Sequence, residues 1–110
     1  MSDLELLQRI RDLVGAGRYR VRVHALRHMI EEGFGEHDLV EAISENSAIL
    51  ETYSEESRCL IGGRFSVSKG VHSPLHVVCD YRMEGVVDFV TAYVPQRPWW
   101  ITPTRRGGST

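Results

Sequence analysis

The chain has 110 residues, 42% of them hydrophobic and 25% charged, which suits one globular domain and excludes a wholly disordered chain. The formal net charge is −2, so no bulk field draws nucleic acid to it, and any RNA contact must come from a local patch. From residue 8 to 27 the charges are Arg9, Arg11, Arg18, Arg20, Arg22 and Arg27 against Asp12, whereas 31–56 holds acids and no Lys or Arg.

In chain order, Leu4, Leu7, Ile10 and Val14 recur at helical steps and predict a helix over 3–14 with Asp3 as its N-cap. Gly15 and Gly17 stop it. Residues 19–23 alternate Tyr or Val with Arg and read as a short strand or an extended lead-in. A second helix is predicted over 24–32. Val23, Leu26 and Ile30 share one side of it, with Met29 at the edge, and His24, His28 and Glu31 lie on another. Gly33 and Gly35 break it, and a third helix over 37–45 turns Leu39, Val40 and Ile43 inward. Four strands follow over 48–53, 59–67, 75–81 and 86–94, joined by polar or Gly-containing turns. The expected fold is α+β, with N-terminal helices packed on a four-stranded antiparallel meander. Residues 1–98 are read as one domain and 99–110 as an irregular C-terminal tail. Of Trp99 and Trp100, at least one is expected to dock on the sheet or cover a pocket, because two large aromatics rarely both stay in water.

Cys59 and Cys79 sit in hydrophobic segments and read as buried small hydrophobes. No Cys-X-X-Cys pattern, phosphate-binding glycine loop or nucleophile elbow occurs. The start Met1-Ser2-Asp3 does not resemble a signal peptide, and no apolar run reaches the roughly 20 residues of a spanning helix. The cytoplasm is therefore the expected compartment, with no membrane partner.

His24 and His28 are four residues apart and share a helix face, a spacing that can bind zinc. Ala25 stands where the zinc protease motif needs Glu, and a third ligand would have to come from elsewhere, such as His76. The alternatives are plain packing histidines or a metal-free catalytic or phosphate-contacting role. Strand alternation puts His76, Val78 and Asp80 on one face, and Leu75, Val77 and Cys79 on the other. His76 reads either as a hydrogen-bonded core histidine or as a general acid or base. Tyr93 is either a packing tyrosine with its hydroxyl at the rim or a phenol that orients a phosphate or donates a proton. Arg64 is either a phosphate clamp or an exposed strand residue paired with an acid.

The ordered set His24-Ala25, Met29, Gly33, Ala42, the strand 49–53, Cys59-Leu60-Ile61-Gly62, Pro74-Leu75-His76-Val77-Val78, Thr91-Ala92-Tyr93-Val94-Pro95 and Trp99 resembles a bacterial family, the domain of unknown function 4258. The likeness spans roughly residues 20–100. That family looks like a distant relative of RelE-like and BrnT-like toxins, small α+β ribonucleases held in check by an antitoxin. The resemblance implies a RelE-like fold and a metal-independent endoribonuclease without a cofactor. It implies RNA as substrate and an antitoxin-like partner of the zinc-finger kind, a homodimer being compatible as well. In such an enzyme a base activates the ribose 2′-hydroxyl, cations steady the phosphorane and an acid protonates the leaving 5′-oxygen. The resemblance puts His24, His76 and Tyr93 in the catalytic roles and Arg27, His28, Arg64 and Trp99 in substrate binding, in a cleft between the second helix and the last two strands. His28 and Glu32-Gly33 stand where the family pattern often has Arg and Arg-Gly. A catalytically inactive protein-interaction module of the same fold is the alternative.

Overall fold

The computed structural model describes residues 1–95 and, for backbone alone, 100–102 and 105–106. Helix α1 spans Asp3–Gly15. Its N-cap is Ser2, one residue before the expected Asp3: Ser2 Oγ accepts from the Glu5 N–H, and the Glu5 carboxylate accepts from the Ser2 N–H, a reciprocal cap that satisfies two orphan donors. Strand β1 is only Tyr19–Val21. Helix α2 spans Val23–Glu32 and ends at Gly33, whose φ of 78° is open to glycine without strain. Helix α3 spans Glu36–Ser44. Strands β2 (Ala48–Tyr53), β3 (Arg58–Ser68), β4 (Val71–Asp80) and β5 (Val87–Tyr93) follow.

The sheet order is β1-β5-β4-β3-β2. Strands β2 to β5 pair antiparallel with their sequence neighbours, while β1 adds to β5 in parallel, Tyr19 opposite Val87 and Val21 opposite Phe89. The expected four-stranded antiparallel sheet is thus corrected to a five-stranded mixed one. A three-residue strand is too short for alternation to declare it. The long chain between β1 and β5, helices included, supplies the excursion a parallel pair needs. Strand β4 also begins at Val71 rather than 75, taking in Pro74. Pairing of β4 with β5 stops at His76 opposite Tyr93, so Pro74 sits where β4 has one neighbour, and its missing N–H leaves no bond unmade on the open side. In the tail, Trp100–Thr102 (β6) and Arg105–Arg106 (β7) pair in a separate two-stranded ribbon.

One face of the sheet holds the helices. Cys59, Ile61 and Phe65 from β3, Leu75, Val77 and Cys79 from β4, and Val87, Phe89 and Ala92 from β5 pack with Leu7, Ile10, Val14, Met29, Leu39 and Ile43. Gly63 marks the closest approach: a Cβ there would lie 1.9 Å from the Ala42 carbonyl oxygen of α3. Arg11 ties α1 to the α3–β2 junction, donating to Ser47 Oγ, Ser47 O and Ile43 O. The odd-numbered residues of β3 and β4 make this core, so their even-numbered neighbours, His76 among them, turn to the opposite face.

The helical periodicity of α2 marks its apolar side, but the structure buries only that side's edge. Ala25 and Met29 are buried, whereas Val23 and Ile30 remain 71% and 74% exposed and Leu26 about half exposed. The small Ala25 lets the helix lie close on β5. None of the described helices is long and apolar enough to cross a membrane.

Candidate functional site

The face opposite the helices carries most of the chemistry. His76 of β4 pairs directly with Tyr93 of β5, so their side chains share that face. His76 Nδ1 lies 3.3 Å from the Tyr93 hydroxyl, and the rings meet edge to face with centroids 5.4 Å apart. Which atom donates depends on the imidazole tautomer. His76 is 0% exposed, while Tyr93 is half-buried. The phenol is therefore the member of the pair within reach of a ligand, with the imidazole behind it.

Along the same face, toward the start of β5 and the end of β4, lie two carboxylates, Asp88 and Asp80, each held by arginine. Asp88 receives Arg20 in a fork, Nε to Oδ1 at 2.7 Å and Nη2 to Oδ2 at 3.0 Å, and Arg22 Nε adds 3.0 Å to Oδ2. The Arg20 hydrogen bonds, helped by Arg22 and opposed by burial, hold the Asp88 carboxyl below the usual range. Burial pushes Asp80 up, but the Arg82 N–H and the Arg58 guanidinium outweigh it and leave the carboxyl lowered. Five arginines are thus committed: Arg20 and Arg22 to Asp88, Arg58 to Asp80, Arg11 to backbone and Ser47, and Arg82 to the Glu56 carbonyl.

In the other direction stands Arg64 of β3, opposite Pro74 and one same-face step beyond the Gly62–His76 pair. Arg64 has no ion pair among the described residues, and it lines a cavity of about 500 Å³ with Asn46, Gly62, Gly63, His72 and Pro74.

The α2 histidines form a separate group in the helix layer. The His24 and His28 rings touch edge to face at 4.7 Å. His28 Nδ1 lies 3.6 Å from Glu32 Oε2, too long for a hydrogen bond, and that oxygen is buried with no hydrogen bond among the described residues. Glu32 Oε1 accepts the Val94 N–H at 3.1 Å, which fastens the end of α2 to the residue after Tyr93. Glu32, an acid where the resemblance suggested a cation, is therefore a clamp on β5. Arg27 is exposed on α2. Among the described residues no three His, Cys, Asp or Glu gather closely enough to hold a metal ion. Trp99 lies outside the described residues.

Of the residues singled out in the sequence, the structure joins His76 to Tyr93 and His24 to His28, on opposite sides of the sheet, and sets Arg64 beside the first pair. Cys59 and Cys79 are free thiols buried in the core. The Cys59 side chain and burial together push the Cys79 thiol well up, which leaves it an inert packing group. Two pocket residues escaped the sequence reading. His72 could have been found, since alternation from His76 through Pro74 puts it on the same face. Asn46 could not, because its place depends on where the α3–β2 connection lands.

A family described as a domain of unknown function (DUF4258) matches residues 21–94. No curated protein and no solved structure matches the chain.

Proposed function

Because the chain belongs to the DUF4258 family, a domain of unknown function, its activity has to be read from its own residues, and we propose that it is a metal-independent endoribonuclease of the toxin type, with a RelE-like fold and an antitoxin-like partner. The observation that carries this reading is the His76–Tyr93 contact, 3.3 Å from ring nitrogen to hydroxyl, beside a cavity lined by Arg64, which has no ion pair among the described residues. In this reading the ribose 2′-oxygen attacks the adjacent phosphorus and its proton passes to water. The P–O2′ bond forms as the P–O5′ bond breaks. Tyr93 gives its proton to the leaving 5′-oxygen and is reprotonated from water, while His76 holds the phenol in place. Arg64 neutralises charge building on the phosphorane. Tyr93 is then the catalytic residue and His76 the positioning one. His24, His28 and Arg27 stand on the helix layer, where they serve as contacts for flanking RNA.

The test is cleavage of single-stranded RNA by the purified chain in the presence of EDTA. A 2′,3′-cyclic phosphate end is expected, with a loss of about 10²-fold or more for Tyr93→Phe. His76→Gln is expected to move the pH profile as well as the rate. Expression of the native chain should arrest growth, and His76→Ala should relieve the arrest. Intact RNA under a correctly folded native protein would remove the proposal.

A second reading, an inactive protein-interaction module, is favoured by the exposed stripe of Val23, Leu26 and Ile30 on α2. Three apolar residues at helical spacing, flanked by Arg27 and Glu31, suit the apolar face of a partner helix carrying both signs of charge. The occupant in this reading is the antitoxin-like protein. Co-purification with such a partner should be lost in Leu26→Glu and Ile30→Glu while the fold persists. A chain that is dimeric alone and returns to a monomer in these variants would instead assign the stripe to a second copy.

A further inference from the structure

At one end of the sheet β3 and β4 run on as a two-stranded projection. Strand β2 starts at Ala48 opposite Gly62, so β3 beyond Gly63 has β4 as its neighbour and an open edge on the other side. Strand β4 likewise loses β5 above His76. The open β3 edge is partly satisfied by Glu41 of α3, whose Oε2 accepts the Ser66 N–H at 2.9 Å and the Ser66 hydroxyl at 2.8 Å. Asn46, held at a φ of 54°, closes the projection from the α3–β2 connection. Positive φ is uncommon outside glycine, although asparagine tolerates it better than most. The cavity, open to solvent and about 500 Å³, falls in the range of small-ligand sites.

Its chemistry is specific. The Arg64 guanidinium and the His72 imidazole both line it. Gly62 and Gly63 present backbone alone, and Pro74 gives a flat apolar patch. Asn46 offers both a donor and an acceptor at the rim. Glu41 and Glu45 share with Asn46, Arg64 and His72 a narrower adjoining recess of about 60 Å³. Arg20, Arg22 and Arg58 are bound to carboxylates on the same face, yet Arg64 faces a space. A planar guanidinium beside an imidazole suits a phosphate, and a flat floor with one amide at its edge suits a base.

We propose that this cavity is a binding site for one nucleotide unit of single-stranded RNA, with its phosphate on Arg64 and His72, its base over Pro74 and its base edge on Asn46. The parent strand is taken from the ribonuclease reading; the recognition of a nucleotide stands on the cavity itself. Lying one same-face step from the His76–Tyr93 pair, the site would fix the register of the strand across Tyr93 and so select the bond that is cut.

The experiment uses the full chain, the four 5′-nucleoside monophosphates and inorganic phosphate, at constant ionic strength, followed by amide chemical shifts. Shifts are expected at Gly63, Arg64 and His72, with at least one nucleotide binding tighter than phosphate. Arg64→Ala should weaken that binding by about tenfold or more, Arg64→Lys by less, and Asn46→Ala should flatten the ranking among bases. Equal binding of phosphate and all nucleotides, or binding indifferent to Arg64→Ala, overturns the proposal. Nucleotide binding without RNA cleavage would sink the ribonuclease reading and leave this site standing.

Discussion

Gly63→Ala should destabilise the protein more than Gly62→Ala, although the two glycines are adjacent in one strand. On propensity alone each change would help by about 0.5–1 kcal/mol, since glycine in a strand interior loses the most backbone freedom. The surroundings reverse that sign at one position. At Gly63 the new Cβ would fall 1.9 Å from the Ala42 carbonyl oxygen and 2.8 Å from its carbon. A backbone group cannot rotate away, so α3 must back off by roughly 1 Å or more to restore van der Waals contact. Overpacking of this kind costs about 1–3 kcal/mol. For a domain of this size the melting temperature should fall by roughly 4–12 °C, at about 4 °C per kcal/mol. At Gly62 the Cβ would meet Leu50 Cδ1 at 2.7 Å, the far end of a flexible side chain that can turn aside. That variant should melt within a few degrees of the native chain. Thermal unfolding followed by far-ultraviolet circular dichroism decides the matter. A Gly63→Ala protein as stable as the native one, or a Gly62→Ala loss of equal size, would refute the close α3–β3 contact. The displaced helix end also carries the connection to Asn46, so nucleotide binding should weaken in parallel.

Acid should expose the Asp88 cluster. The folded-state carboxyl is held below its unfolded value by Arg20, so its contribution is present above the unfolded value near pH 4 and is lost as pH falls through the folded one. The stability gap between native and Asp88→Asn proteins, measured by denaturant melts, should be full at pH 7 and close below about pH 4; a gap that does not change with pH would contradict the ion pairs. Arg11→Ala should cost about 1–3 kcal/mol, because it strips donors from Ser47 O and Oγ in a buried junction; hydrogen exchange should rise first at the start of β2, and unchanged protection there would argue against the tie.

Much of the architecture is written locally in this chain. The stripe of Leu7, Ile10 and Val14 commits α1 to one side of a core, and alternation through 75–79 commits His76 to the face away from Leu75 and Val77. Strand β2 falls on the expected residues, and the helix stops at Gly33 follow from a backbone angle that few other residues tolerate. These features rest on periods of 3.6 and 2, which a one-dimensional string contains. What the string lacks is any statement of partners. Residues 19–21 can pair with either neighbour or none, and only the sheet decides that they lie parallel to β5. Periodicity gives α2 an apolar side, yet the small Ala25, the reach of Met29 and the Glu32 hold on Val94 choose how that helix rolls, leaving Val23, Leu26 and Ile30 in water. The candidate site divides in the same way. Sequence identified His76, Tyr93 and Arg64 as residues able to act, because imidazole, phenol and guanidinium carry their chemistry wherever they stand. The tertiary structure set His76 against Tyr93 and assigned His24 to another layer. It spent Arg20 and Arg22 on Asp88 and brought Asn46 and His72 to Arg64, since distance between side chains is fixed by strand register and helix packing rather than by separation along the chain.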